Sequence, residues 1–120
     1  MYRNDDPYLT ELREICLALP ESAEKEAWGR PTFRAGKKMF AVFEGNEGHP
    51  YAVIFKPDPP ERPALAGDQR FYAPAYYGPA GWLALDFTAA PVDWGEVAEL
   101  MEASYRQVAL IRMLNALDAR

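Results

Sequence analysis

Trp28-Gly29-Arg30-Pro31-Thr32-Phe33-Arg34-Ala35-Gly36-Lys37-Lys38-Met39-Phe40-Ala41-Val42-Phe43, followed after a polar loop by Tyr51-Ala52-Val53-Ile54-Phe55, is the stretch on which the fold turns. Thr32 to Ala35 and Lys38 to Phe43 are short β-type runs separated by Gly36-Lys37, the length of a tight hairpin. Gly29 and Arg30-Pro31 mark a turn before them, and residues 22–28 supply a candidate first strand. Tyr51 to Phe55 reads as a further strand beyond the polar loop Glu44 to Pro50. Hairpin connections of this length imply an antiparallel meander.

Working outward, Asp5 or Asp6 followed by Pro7 starts a helix: a carboxylate caps the free amides, and proline sits where no donor is needed. Tyr8, Leu9, Leu12, Ile15, Cys16 and Leu19 recur at three- and four-residue spacing, so one stripe faces a core until Pro20 ends the helix. On the C-terminal side, a proline-rich passage from Pro57 leads to a short helix over about Glu61 to Ala66, with Gly67 as its stop. Phe71 to Gly81 is aromatic and turn-rich, and Trp82 to Phe87 alternates as a last strand with Leu83, Leu85 and Phe87 on one face. Asp93 and Glu96 form a capping-box pattern at the head of a long amphipathic helix running to about Leu117, with Val108 and Ile111 on its apolar stripe. Each long helix has one apolar stripe to bury. The economical fold is an α+β two-layer sandwich, an antiparallel sheet with the N- and C-terminal helices packed on one face, as a single domain over residues 1–120.

At 120 residues, with 49% apolar and 26% charged side chains, the chain can build one core without staples. The single Cys16 cannot form an internal disulfide, no apolar run approaches the roughly 20 residues that span a bilayer, and no secretory leader is recognisable; a cytoplasmic monomer without membrane contact is the expectation. Net charge is −5, against the basic field usual in nucleic-acid binders. Its distribution is uneven: residues 1–29 carry −4, residues 30–70 carry +2 and residues 71–120 carry −3.

Constellations for catalysis are few. His49 is the lone histidine and stands in a loop, so neither a triad nor a His-rich metal site is available, and it reads as a solvated loop residue. Cys16 lies on an apolar stripe and reads as a small buried hydrophobe. No phosphate-cradling glycine motif occurs. No catalytic residue, metal site or cofactor is therefore expected. The cationic centre, Arg30, Arg34, Lys37, Lys38, Lys56, Arg62 and Arg70, offers contacts for a phosphate backbone from a wing-like hairpin tip. Lysines and arginines at such positions also protect sheet edges against association. The aromatic group Trp28, Tyr76, Tyr77 and Trp82 offers the lining of a pocket for a small ligand or protein partner; the same rings could equally cover the open face of the sheet.

The order and spacing of several motifs resemble the YjbR/MmcQ family of small bacterial proteins over nearly the whole chain. The carrying stretches are Leu12 to Pro20, Glu26 to Phe33, Lys38 to Ala41, Phe55-Lys56, Tyr76 to Leu83 and Leu100 to Val108. The resemblance implies a frataxin-like (CyaY-like) α+β fold and a DNA-binding label, through a proposed double wing of strands and hairpins, with no established catalytic activity. Trp28, Gly29, Pro31, Phe33, Lys38, Phe40, Lys56, Trp82, Ser104 and Tyr105 match the family pattern. Three functions are thus in play: weak DNA binding through the cationic strip, ligand or partner binding at the aromatic group, and, by analogy of fold alone, cation binding on Asp5, Asp6, Glu11 and Glu14 of the first helix.

Overall fold

Asp6 opens the first helix as the spacing predicts. In the computed structural model, which describes residues 2–44 and 48–120, its carboxylate accepts hydrogen bonds from the amides of Tyr8 (2.9 Å) and Leu9 (3.2 Å), with Pro7 in the first turn. Helix α1 spans Pro7–Leu17. Strands β1 (Ser22–Ala27), β2 (Arg30–Ala35), β3 (Lys38–Glu44) and β4 (Ala52–Phe55) follow, then α2 (Arg62–Ala66), β5 (Phe71–Tyr72), β6 (Leu83–Asp86), α3 (Trp94–Val108) and α4 (Ile111–Asp118). The six strands form one antiparallel sheet in the order β1-β2-β3-β4-β6-β5. The two-residue strand β5 is an addition to the sequence reading, which left Phe71-Tyr72 in an irregular passage.

Two tight turns set the register. Ala27 pairs with Arg30, which leaves Trp28-Gly29 as a two-residue turn with φ +50° and +75°; positive φ at both central positions is the primed turn that matches strand twist. Arg30-Pro31 is therefore the start of β2 rather than part of the turn. Ala35 pairs with Lys38 across Gly36-Lys37, and Gly36 supplies the positive φ (+62°) that this hairpin needs at its first central residue. Register then shifts by one residue: Phe33 faces Ala41 but Arg34 faces Met39. The extra residue, Phe40, forms a β-bulge, so Phe40 and Ala41 both join the core beneath the helices while Met39 and Val42 pack on the other face.

Helices α1, α3 and α4 cover one face of the sheet. Leu9, Leu12 and Cys16 meet Leu100, Met101 and Tyr105 over Phe33, Phe43, Phe55 and Leu85, all buried. Each large apolar side chain so buried contributes about 1.5–3 kcal/mol. Burial pushes the Cys16 thiol above its ordinary range, as befits an inert core residue. Polar side chains join the layers: Tyr105 donates to the Pro20 carbonyl, and the Ser104 hydroxyl donates to the Phe40 carbonyl while accepting from the Lys56 amide.

Two expectations for the C-terminal helix need correction. Asp93 caps α3 through the amides of Gly95 and Glu96, but the Glu96 carboxylate pairs with Arg70 instead of reaching back, so only half of the capping box forms. The helix also breaks. Ala109 (ψ 150°) and Leu110 (ψ 157°) are extended, and α4 restarts at Ile111, which is 76% exposed rather than on the apolar stripe. The break redirects the chain so that Met113 and Leu117 enter the core, with Met113 against the Gly36 turn. Ion pairs Arg106–Asp118 (2.7 Å) and Arg112–Glu21 (2.8 Å) hold α4 in place. No helix among the described residues is long and apolar enough to cross a membrane.

Candidate ligand cleft on the outer sheet face

Alternation along the strands decides what the face away from the helices presents. Arg30, Thr32 and Arg34 of β2 point there, beside Val42 and Glu44 of β3, Ala52 and Ile54 of β4, Ala84 and Asp86 of β6, and Tyr72 of β5. The middle of this face is dry: Val42, Ile54 and Ala84 are fully buried beneath Met39, Tyr72, Tyr77 and Trp82. The passage after β5 therefore folds back over the sheet. Trp82 packs against Tyr77, ring centroids 5.9 Å apart, and serves as this cover. For Trp82 the packing alternative is the one observed.

At one end of the face the cover stops and a cleft of about 420 Å³ opens, lined by Trp28, Arg30, Tyr76 and Tyr77. Trp28 comes from the β1–β2 turn and Tyr76 from the passage after β5, so the two walls arrive from opposite edges of the sheet. Their rings are 92% and 91% exposed, the two most exposed large apolar side chains among those described. Both stand on left-handed backbone, φ +50° and +68°, which costs a non-glycine residue about 1–2 kcal/mol. Arg30 lies at the base of the cleft, its Nε 3.3 Å from the carboxylate of Glu44, which is only 4% exposed.

Behind Arg30 lies a polar group that sequence reasoning missed. His49 stacks on Tyr72 (centroids 3.8 Å) with Nδ1 3.6 Å from Asp86. The expectation of a solvated loop histidine is corrected here: His49 lies against the β5–β6 edge with its imidazole on the Tyr72 ring. The Tyr72 hydroxyl is buried with no hydrogen-bond partner among the described residues; burial, then the Glu44 and Asp86 carboxylates, push its phenol above the ordinary range. Asp86 sits below the usual carboxylate range: burial opposes this, but hydrogen bonds from the Thr88 hydroxyl and amide, with His49 beside them, prevail. Only the cross-strand register places Arg30, Glu44, Ala52 and Asp86 in one row, so no local motif announces the group.

The seven predicted cations do not form one strip. Arg70 is locked between Asp68 (2.8 Å) and Glu96 (2.6 Å), and these hydrogen bonds hold its guanidinium well above the ordinary arginine range. Arg62 donates through Nε to the Gly81 carbonyl, and Arg30 belongs to the cleft. The remaining four, Arg34, Lys37, Lys38 and Lys56, lie toward the opposite end of the sheet. Arg34 donates to the Thr32 hydroxyl; none of the four forms an ion pair among the described residues.

The first-helix carboxylates are dispersed. Asp6 caps the helix, Asp5 pairs with Arg3, and Glu11 and Glu14 point to solvent. Among the described residues no three His, Cys, Asp or Glu side chains converge as a metal site. A second concavity, about 560 Å³ between α2 and α3, is rimmed by Asp58, Glu61 and Glu99.

An antiparallel sheet with helices on one face and an aromatic cleft on the other defines a small α+β domain with a ligand-sized concavity. The YjbR family model matches residues 17–107, and the chain belongs to that family. The chain is similar to the crystal structure of Deinococcus radiodurans protein DR2400, described by its domain DUF419. Identity is 22%, with 81% of this chain and 75% of that one covered at a TM-score of 0.66, a likeness of fold. No curated protein matches the chain.

Proposed function

We propose that the chain is a non-catalytic binding domain whose site is the cleft of Trp28, Arg30, Tyr76 and Tyr77. One observation carries this reading: the two most exposed large rings among the described residues stand on strained, left-handed backbone and face the same cleft. Folding alone gains nothing from either feature, since an exposed ring buries no area and a left-handed tryptophan is disfavoured. Both become useful when a ligand covers the rings. The volume falls within the range of small-molecule pockets. A thermal-shift screen of small ring-bearing compounds tests the reading, because a ligand at about 100 times its Kd adds about 2.7 kcal/mol of stability. Hits are expected to lose their shift in Trp28→Ala and Tyr76→Ala. Hits that shift these variants as strongly as the parent protein would place binding elsewhere.

A second reading is weak DNA binding, favoured by four cations at the other end of the sheet that form no ion pair among the described residues, Arg34, Lys37, Lys38 and Lys56. The net charge of −5 opposes it, so binding is expected only at low salt. Contact with about four phosphates gives a log–log salt slope near −3.6. Duplex affinity measured at two salt concentrations, with the triple variant Arg34→Ala/Lys37→Ala/Lys38→Ala alongside, decides it. Equal affinity in the variant, or none in the parent at low salt, rejects this reading.

A further inference from the structure

From the chemistry of the cleft walls we infer that its ligand is a flat ring system bearing one anionic group, a carboxylate or a phosphate. The inference rests on the cleft being the binding site and adds what it selects. Neither Trp28 nor Tyr76 has an aromatic partner among the described residues, so each leaves a ring face open for stacking.

Three aromatic side chains around one space would by themselves suit a cation held over their faces. Arg30 disfavours that option, because it is the one charged side chain among the described residues that lines the cleft, and a second cation beside it would be repelled. Glu44, the partner of Arg30, is buried behind it and does not line the cleft, so it offers a cation there no direct contact.

Arg30 is well placed to receive an anion. Its pairing to Glu44 runs through Nε, and no other residue among those described pairs with its guanidinium. A planar fork with donors to spare matches two oxygens of a carboxylate or phosphate. Glu44 meanwhile fixes the fork and offsets its charge. The attraction is therefore short-ranged and directional, and the rings supply most of the contact. A volume of about 420 Å³ accommodates a two-ring system with one substituent.

The test uses the full chain and probes that vary one property at a time. 2-Naphthoate and 2-naphthyl phosphate are flat anions, 2-naphthylmethylammonium is the flat cation, and decalin-2-carboxylate is an anion without flatness. Binding is followed in ¹H–¹⁵N spectra through the Trp28 indole N–H and the Arg30 side-chain N–H. A flat anion is expected to bind roughly tenfold tighter than the cation and the saturated acid, moving both signals. Comparison of naphthoate with naphthyl phosphate assigns the anionic group. Arg30→Ala would take the ion-pair partner from the buried Glu44, so the charge arm uses Arg30→Gln/Glu44→Gln, which keeps a polar pair without charge. This variant is expected to lose the preference for the anion while still moving the Trp28 signal.

Equal affinity for the flat anion and cation, with Trp28 responding, overturns the ligand class and leaves the cleft as a binding site. Equal affinity for naphthoate and the saturated acid overturns the stacking role. No response at Trp28 to any probe overturns both the class and the site.

Discussion

Trp28 gathers the argument at the scale of a single residue. It occupies the first central position of a turn whose positive φ suits Asn, Asp or Gly, and its ring touches almost nothing in the folded chain. Trp28→Asn should therefore stabilise the protein by about 1 kcal/mol in urea unfolding, through relief of left-handed strain, and abolish ligand hits at the cleft. A destabilised variant would make the tryptophan architectural after all. The sequence flagged Trp28, Tyr76 and Tyr77 as ring-bearing residues near turns, and the structure brings these three together. It did not bring Glu44, Tyr72, His49 and Asp86 together. Each is unremarkable locally, and they meet only because strands pair in a particular register.

At the scale of elements, hairpins were legible and irregularities were not. Gly36 announces its turn because few other residues adopt the required φ, and Asp6-Pro7 announces α1 because capping chemistry is local. The break between α3 and α4 has no such mark: no glycine or proline stands at Ala109-Leu110, and apolar spacing runs through it. Tertiary packing of Met113 and Leu117 made the difference. The bulge at Phe40 is equally silent in sequence, yet it dictates a long-range partner. Ser104 on α3 accepts from the Lys56 amide (2.9 Å) and donates to the Phe40 carbonyl (2.6 Å), joining the bulge to the end of β4. Ser104→Ala leaves both groups buried without this bridge. The expected loss is about 2–4 kcal/mol, read as a lower denaturant midpoint at unchanged slope. A loss within about 0.5 kcal/mol would mean that other donors and acceptors take over.

For the whole molecule, neighbours in sequence proved poor guides to neighbours in space. Arg30 and Arg34 share one face of β2, but four residues of strand separate them by about 13 Å. One serves the cleft and the other the far end of the sheet. The layering, by contrast, followed from two amphipathic helices needing one apolar surface. The cover on the opposite face, one of the two alternatives that its aromatic rings offered, has a consequence for motion. With helices above and Tyr72, Tyr77 and Trp82 below, β3, β4 and β6 are sealed on both sides, so their amide protons should exchange with solvent most slowly. Strands β1 and β5 close the two ends of the sheet and should open first. The walls of the cleft hang from those two strands, Trp28 from one and Tyr76 from the other. A ligand gripped by both walls would act as a clasp across the sheet. It would slow exchange at two edges that stand at opposite ends of the strand order and leave the already slow centre unchanged.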